Sequence, residues 1–107
     1  MHFAHLALAA ALTIVVSTQV GAQSIGDWRK GRALARQLCA ECHALGRRNV
    51  HSPNPEAPSF ATVASTPGMT ASALNVFFQT SHRHMPNLVL ATDQRSDIIA
   101  YIMMLKK

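Results

Sequence analysis

The feature that most constrains this chain is the five-residue motif Cys39-Ala40-Glu41-Cys42-His43. Two cysteines separated by two residues and followed at once by a histidine form the attachment pattern for a covalently bound haem. Each thiol adds to one vinyl group of the porphyrin as a thioether, and this spacing lets both sulfurs react from a single helical turn. The histidine then lies beneath the iron, where a neutral imidazole nitrogen binds it. The motif therefore predicts a chain built around one haem.

Three other uses of the cysteines stay open at this point. A redox dithiol is expected beside a βαβ pattern, and no strand-like alternation precedes Cys39. A zinc site needs further ligands, but His82 and His84 lack the separation of about three to five residues seen in common zinc fingers. A structural disulfide between Cys39 and Cys42 would leave His43 without a role.

The N-terminal segment has the pattern of a secretory signal peptide. It is apolar from Phe3 to Val20 and then offers small residues, ending at Ala22, where signal peptidase cuts. An uncleaved anchor is the alternative, but the unbroken apolar core is short for a bilayer span. We therefore predict a cleaved signal in residues 1–22, a single domain in residues 23–107, and a periplasmic location.

A domain of this size buries little of its surface and commonly needs a covalent cross-link or a bound metal to be stable. A haem joined through two thioethers and through its iron would supply both apolar surface and cross-links. We therefore expect the haem-free chain to be largely unfolded.

The chain is basic, with ten Lys and Arg against five Asp and Glu and a formal net charge of +5. Six of the basic residues fall between Arg29 and Arg48. A basic surface suggests redox partner proteins with an acidic docking surface; the alternative is that these residues form the solvated face of a helix. Nucleic acid is not expected as a partner, because aromatic residues are few and no binding motif is present.

Helical periodicity predicts an all-α domain. Asp27 is a suitable N-cap for a helix running to Leu38, and Gly31 on its apolar face indicates that another helix crosses closely there. A proline-rich loop covers residues 47–58, and a short helical piece follows at residues 61–64. Thr70 is a suitable cap for a third helix, and a last helix starts after residue 92 and runs to residue 105. The last helix is expected to bury a stripe formed by Ile98, Ile99, Tyr101, Ile102 and Leu105.

An iron bound by His43 has one axial position left. The candidates after residue 22 are Met69, Met85, Met103, Met104, His51, His82 and His84. Met85 is preferred because Pro86 biases it toward an extended conformation, in which a loop can lay a thioether over the open haem face. His82, His84 or no ligand remain alternatives. A His/Met pair raises the reduction potential relative to two nitrogen ligands, and a filled sixth position leaves no room for a substrate.

The chain resembles the small monohaem class I c-type cytochromes. The resemblance rests on the haem motif, on Ala57-Pro58-Ser59-Phe60, on Met85-Pro86 and on the ending Asp97-Ile98-Ile99-Ala100-Tyr101-Ile102 with Leu105. It covers essentially all of residues 23–107. It implies the cytochrome c fold, with three to four helices wrapped around one covalently attached haem c.

The resemblance also implies a role for each matched position. Cys39 and Cys42 would carry the thioethers, and His43 and Met85 would be the axial ligands. Pro58 would offer its carbonyl to the other ring nitrogen of His43. Gly31 and Tyr101 would lie where the first and last helices cross. The chain departs from the commonest pattern in its proline-rich loop and in the residues just before Met85.

Two functions of different classes follow. The first is electron transfer in the periplasm, as a free carrier or as a subunit of a dehydrogenase, without enzymatic activity of its own, a small-molecule substrate or a membrane anchor after signal cleavage. The second is a haem enzyme or gas sensor in which the sixth position is open or displaceable.

Overall fold

The computed structural model describes residues 25–107, and within that range the chain forms four α-helices and no strand. The helices are α1 (Trp28–Leu38), α2 (Phe60–Ser65), α3 (Ala71–Phe78) and α4 (Thr92–Met104). The predicted all-α class is confirmed. The predicted signal peptide, residues 1–22, lies outside the described residues. No helix between residues 25 and 107 is long and apolar enough to cross a membrane.

Side-chain caps explain where the first three helices begin. The Asp27 carboxylate accepts hydrogen bonds from the backbone N–H groups of Arg29 (2.8 Å) and Lys30 (3.3 Å). Ser59 caps α2 and Thr70 caps α3 in the same way. These bonds satisfy backbone donors that have no partner inside the helix.

The fourth helix begins slightly earlier than the sequence predicts. Ala91 rather than a hydroxyl residue is its N-cap, and the Gln94 side chain accepts a hydrogen bond of 3.1 Å from the Ala91 N–H. Because the capping group lies inside the helix, three residues after the cap, α4 begins at Thr92 and not after it.

Helices α1 and α4 cross in close contact. A Cβ atom on Gly31 would overlap the backbone carbonyl of Asp97, so the two helix backbones are in direct contact at this point. A hydrogen bond also stabilises the crossing: the Asp97 carboxylate accepts it from the Asp27 N–H at 2.7 Å. The predicted close approach at Gly31 is confirmed.

The core lies where α2 and α3 pack onto the α1–α4 pair. The predicted stripe of α4 is buried along its whole length, with Ile98 and Tyr101 only 0% and 4% exposed. The Tyr101 hydroxyl donates a hydrogen bond of 2.7 Å to the Leu45 carbonyl oxygen, which joins α4 to the segment after the haem motif. Ala35, Phe60, Ala64 and Leu74 complete the cluster from the other three helices.

Candidate haem site

A cavity of about 540 Å³ lies against the core. This volume is within the range of about 300–1,000 Å³ typical of sites for small molecules and cofactors. Its walls are mainly apolar and come from all four helices, from the residues after α1, and from the segment that follows α3. The apolar lining includes Leu38, Phe60, Val63, Met69, Leu74, Phe77, Phe78, Leu88 and Ile102. Such a lining suits a large planar porphyrin.

The haem motif forms one wall of this cavity. The chain continues from the end of α1 through a further turn, in which the N–H groups of Cys42 and His43 donate to the Cys39 carbonyl at 3.2 and 2.9 Å. Cys39, Cys42 and His43 all line the cavity. The two cysteines and the histidine thus line one space, as attachment and ligation of a single haem require.

The electrostatics of Cys39 do not resemble those of a redox dithiol. Burial, and to a lesser degree the neighbouring Cys42, raises the pKa of the Cys39 thiol from 9.0 to about 11. Reactive C-x-x-C cysteines instead have lowered pKa values, which make the thiolate available at neutral pH. The absence of strands in residues 25–107 also removes the βαβ setting that a redox dithiol would need.

His43 is held by the loop before α2. Its Nδ1 lies 2.7 Å from the Pro58 carbonyl oxygen. A carbonyl oxygen only accepts, so Nδ1 carries the proton and Nε2 keeps the lone pair that can bind a metal. The Phe60 ring, with its centroid 5.3 Å from that of the imidazole, supports the same orientation from the core side.

Met85 lies on the wall formed by the segment after α3 and is half-buried there. Met69, Met103 and Met104 all pack against the core cluster, whereas Met85 does not belong to that packing. Among the methionines in residues 25–107, Met85 is therefore the one whose thioether lines the cavity without a packing role in the core.

The histidines considered as alternative ligands are placed differently. His51 is exposed and does not line the cavity. His82 lines it, but its Nε2 donates to the Phe77 carbonyl at 2.9 Å and lies 2.9 Å from the Thr80 hydroxyl. His84 also lines it, at the rim, where its Nδ1 is 3.8 Å from Glu56 Oε2.

A zinc site finds no support in the described part of the chain. No group of three or more His, Cys, Asp or Glu side chains in residues 25–107 is close enough to hold a metal ion. A porphyrin needs fewer protein ligands, because its own nitrogens supply the equatorial ones, and one histidine with one thioether completes the set. The residues present therefore fit a haem and do not fit a protein-only metal site.

Sequence reasoning missed two features at the rim of the cavity. Glu56 is brought within reach of His84, and the His82 ring stacks on Phe77 with centroids 3.5 Å apart. Neither pairing has a periodic or motif signal, because Glu56 and His84 are separated in sequence by two helices, and Phe77 and His82 lie on either side of the end of α3.

Comparison with known proteins gives one informative relationship. The chain is 31% identical over 91 residues to a protein named cytochrome c-552 from Bradyrhizobium diazoefficiens, and the alignment covers 85% of this chain and 86% of that protein. No family model matches the chain. No solved structure matches it either.

Proposed function

This chain belongs to the c-type cytochromes, and we propose that it carries single electrons between redox partner proteins in the periplasm, with His43 and Met85 as the axial ligands of its haem. Membership of the family confirms the predicted cofactor, one covalently bound haem c with its iron. It also confirms the predicted all-α cytochrome c fold, which has four helices in residues 25–107.

The observation that carries the proposal is the convergence of the haem motif and Met85 on one apolar cavity. Cys39 and Cys42 would hold the porphyrin through thioethers, and the Nε2 of His43 would bind the iron. The Pro58 carbonyl, 2.7 Å from Nδ1, would fix the plane and the tautomer of the imidazole. The haem supplies one-electron chemistry by alternating between ferrous and ferric iron.

Ligation by the Met85 thioether would make the haem an electron-transfer group and not a site for substrate. A soft sulfur ligand stabilises the ferrous state and raises the reduction potential relative to a second imidazole. With His43 and Met85 both bound to the iron, a substrate would have to displace one of them to reach it. The chain's own residues then act only to hold the iron in one environment and to exclude water from it.

The basic residues of α1 supply a candidate docking surface. Arg29, Arg32 and Arg36 follow one another at spacings of three and four residues, so they share one face of the helix, and all three are exposed. That face lies away from the crossing with α4 at Gly31. A positive stripe of this kind would attract a redox partner with an acidic surface and accelerate encounter at low ionic strength.

Optical spectra of the ferric protein test the ligand assignment. The native protein should show the weak long-wavelength sulfur-to-iron band, and Met85→Leu should lose it. Met69→Leu is the matched control, because Met69 also lines the cavity and the volume change is the same. Loss of the band in the Met69 variant, with survival in the Met85 variant, would contradict the assignment.

Carbon monoxide tests the electron-transfer role itself. The reduced native protein should bind it slowly and weakly, because Met85 must leave first. Rapid, tight binding would favour the haem enzyme or gas sensor and overturn the proposal.

A further inference from the structure

The residue before Met85 has an unusual backbone conformation. His84 has φ of 65°, and no other residue in positions 25–107 except a glycine has a positive φ. It is the third residue of a four-residue turn, in which the Met85 N–H donates a long hydrogen bond of 3.5 Å to the His82 carbonyl. A positive φ at the third position is also what a type II turn requires.

This conformation determines where Met85 lies. A left-handed residue reverses the chain, so Met85 returns toward the His82 carbonyl instead of continuing away from the cavity. Pro86 then restricts the backbone of Met85 to extended conformations. Met85 is thus held between a left-handed residue and a proline, and its side chain lines the cavity.

The first residue of the turn is anchored to α3. The His82 ring lies flat on the Phe77 ring, at 9° between planes, and its Nε2 donates to the Phe77 carbonyl at 2.9 Å. The turn therefore starts from a fixed point, and a change of backbone conformation at His84 moves Met85 rather than His82.

The side chain of His84 contributes much less to the position of Met85 than its backbone conformation does. Its Nδ1 is 3.8 Å from Glu56 Oε2, but the two side chains are 66% and 69% exposed. Contacts between side chains this exposed change an equilibrium by less than about fivefold. A left-handed conformation disfavours an ordinary L residue by about five- to thirtyfold, whereas histidine, asparagine and glycine adopt it more readily.

We propose that His84 is a positioning residue for the sixth ligand, and that its left-handed backbone, not its imidazole, holds Met85 over the haem. The inference rests on the proposed ligation by Met85. It means that the strength of the Met85–iron bond depends on which residues tolerate a positive φ at position 84.

The test compares His84→Val with His84→Asn, using imidazole as a probe that competes with Met85 for the ferric iron. Both variants lack the contact with Glu56, so the comparison isolates the backbone. Valine is β-branched and resists a positive φ, whereas asparagine accepts it. We expect His84→Val to bind imidazole about five- to thirtyfold more tightly than His84→Asn, and to have a weaker sulfur-to-iron band.

Two further variants serve as controls. Arg83→Val introduces the same β-branched residue one position earlier, where φ is not positive, and should leave the imidazole affinity at the native value. His84→Gly should keep the full sulfur-to-iron band, which shows that the imidazole side chain is dispensable.

The outcomes separate this inference from the ligand assignment. Equal imidazole affinities for His84→Val and His84→Asn, in a protein whose native form has the sulfur-to-iron band, overturn the positioning role alone. Loss of the band in His84→Gly also overturns it. Absence of the band from the native protein overturns both the ligation by Met85 and the inference built on it.

Discussion

Replacing Gly31 with alanine tests the close crossing of α1 and α4. The new Cβ would overlap the backbone carbonyl of Asp97, which cannot rotate away as a flexible side chain would. The two helices must therefore move apart, and this weakens the hydrogen bond of 2.7 Å between the Asp27 N–H and the Asp97 carboxylate. Alanine has the opposite effect within α1 itself, because it is the better helix former.

The sizes of these two opposing effects decide whether Gly31→Ala stabilises or destabilises the protein. Alanine in a helix interior is favoured over glycine by about 1 kcal/mol. Overpacking typically costs about 1–3 kcal/mol, and overlap with a backbone carbonyl belongs at the upper end of that range, so the net loss in the free energy of unfolding is about 2 kcal/mol. For a domain of this size, that loss lowers Tm by about 8–16 °C.

Guanidinium and thermal unfolding of the ferric holoprotein, followed by far-UV circular dichroism, measure this effect. Gly46→Ala is the matched control, because a Cβ at Gly46 would meet nothing within 4 Å. It should be neutral or stabilising by up to about 1 kcal/mol, since it restricts only the unfolded chain. A Gly31→Ala protein as stable as the native one would refute the reasoning about the crossing.

Three further predictions concern the core, the cofactor and the N-terminus. Tyr101→Phe removes a hydroxyl that donates to the Leu45 carbonyl at 2.7 Å, and should reduce the free energy of unfolding by about 1–2 kcal/mol; an unchanged denaturation midpoint would contradict this. A Cys39→Ala/Cys42→Ala chain without haem should show no cooperative thermal transition by circular dichroism, because the walls of the cavity have nothing to pack against. Intact-mass measurement of the exported protein should give residues 23–107 plus one haem, and a mass that includes residues 1–22 would mean that the segment is retained.

Much of the candidate site could be predicted because its signals are local. The haem motif works within a single helical turn, and the predicted caps at Asp27 and Thr70 act on backbone groups two or three residues away. The proline after Met85 acts on its immediate neighbour. Such short-range effects depend on residue type and spacing, so they can be read from the chain itself.

The ends of α4 show where this reasoning fails. At its C-terminal end, the Arg47 guanidinium donates to the Met104 carbonyl at 2.7 Å, and Lys106 donates to the Met69 carbonyl at 3.2 Å. Nothing in the local pattern predicts these bonds, because their partners are distant in sequence.

The sequence alone determined the cofactor, the all-α class, the helices and the small residue at the helix crossing. The tertiary structure decided which of the cavity-lining side chains have hydrogen bonds or contacts with other parts of the chain. It placed the Nε2 of His82 against the end of α3, brought Glu56 to His84, and turned His84 into the left-handed conformation that directs Met85 to the cavity. The physical reason is that these arrangements depend on packing between segments that periodicity and spacing treat as independent.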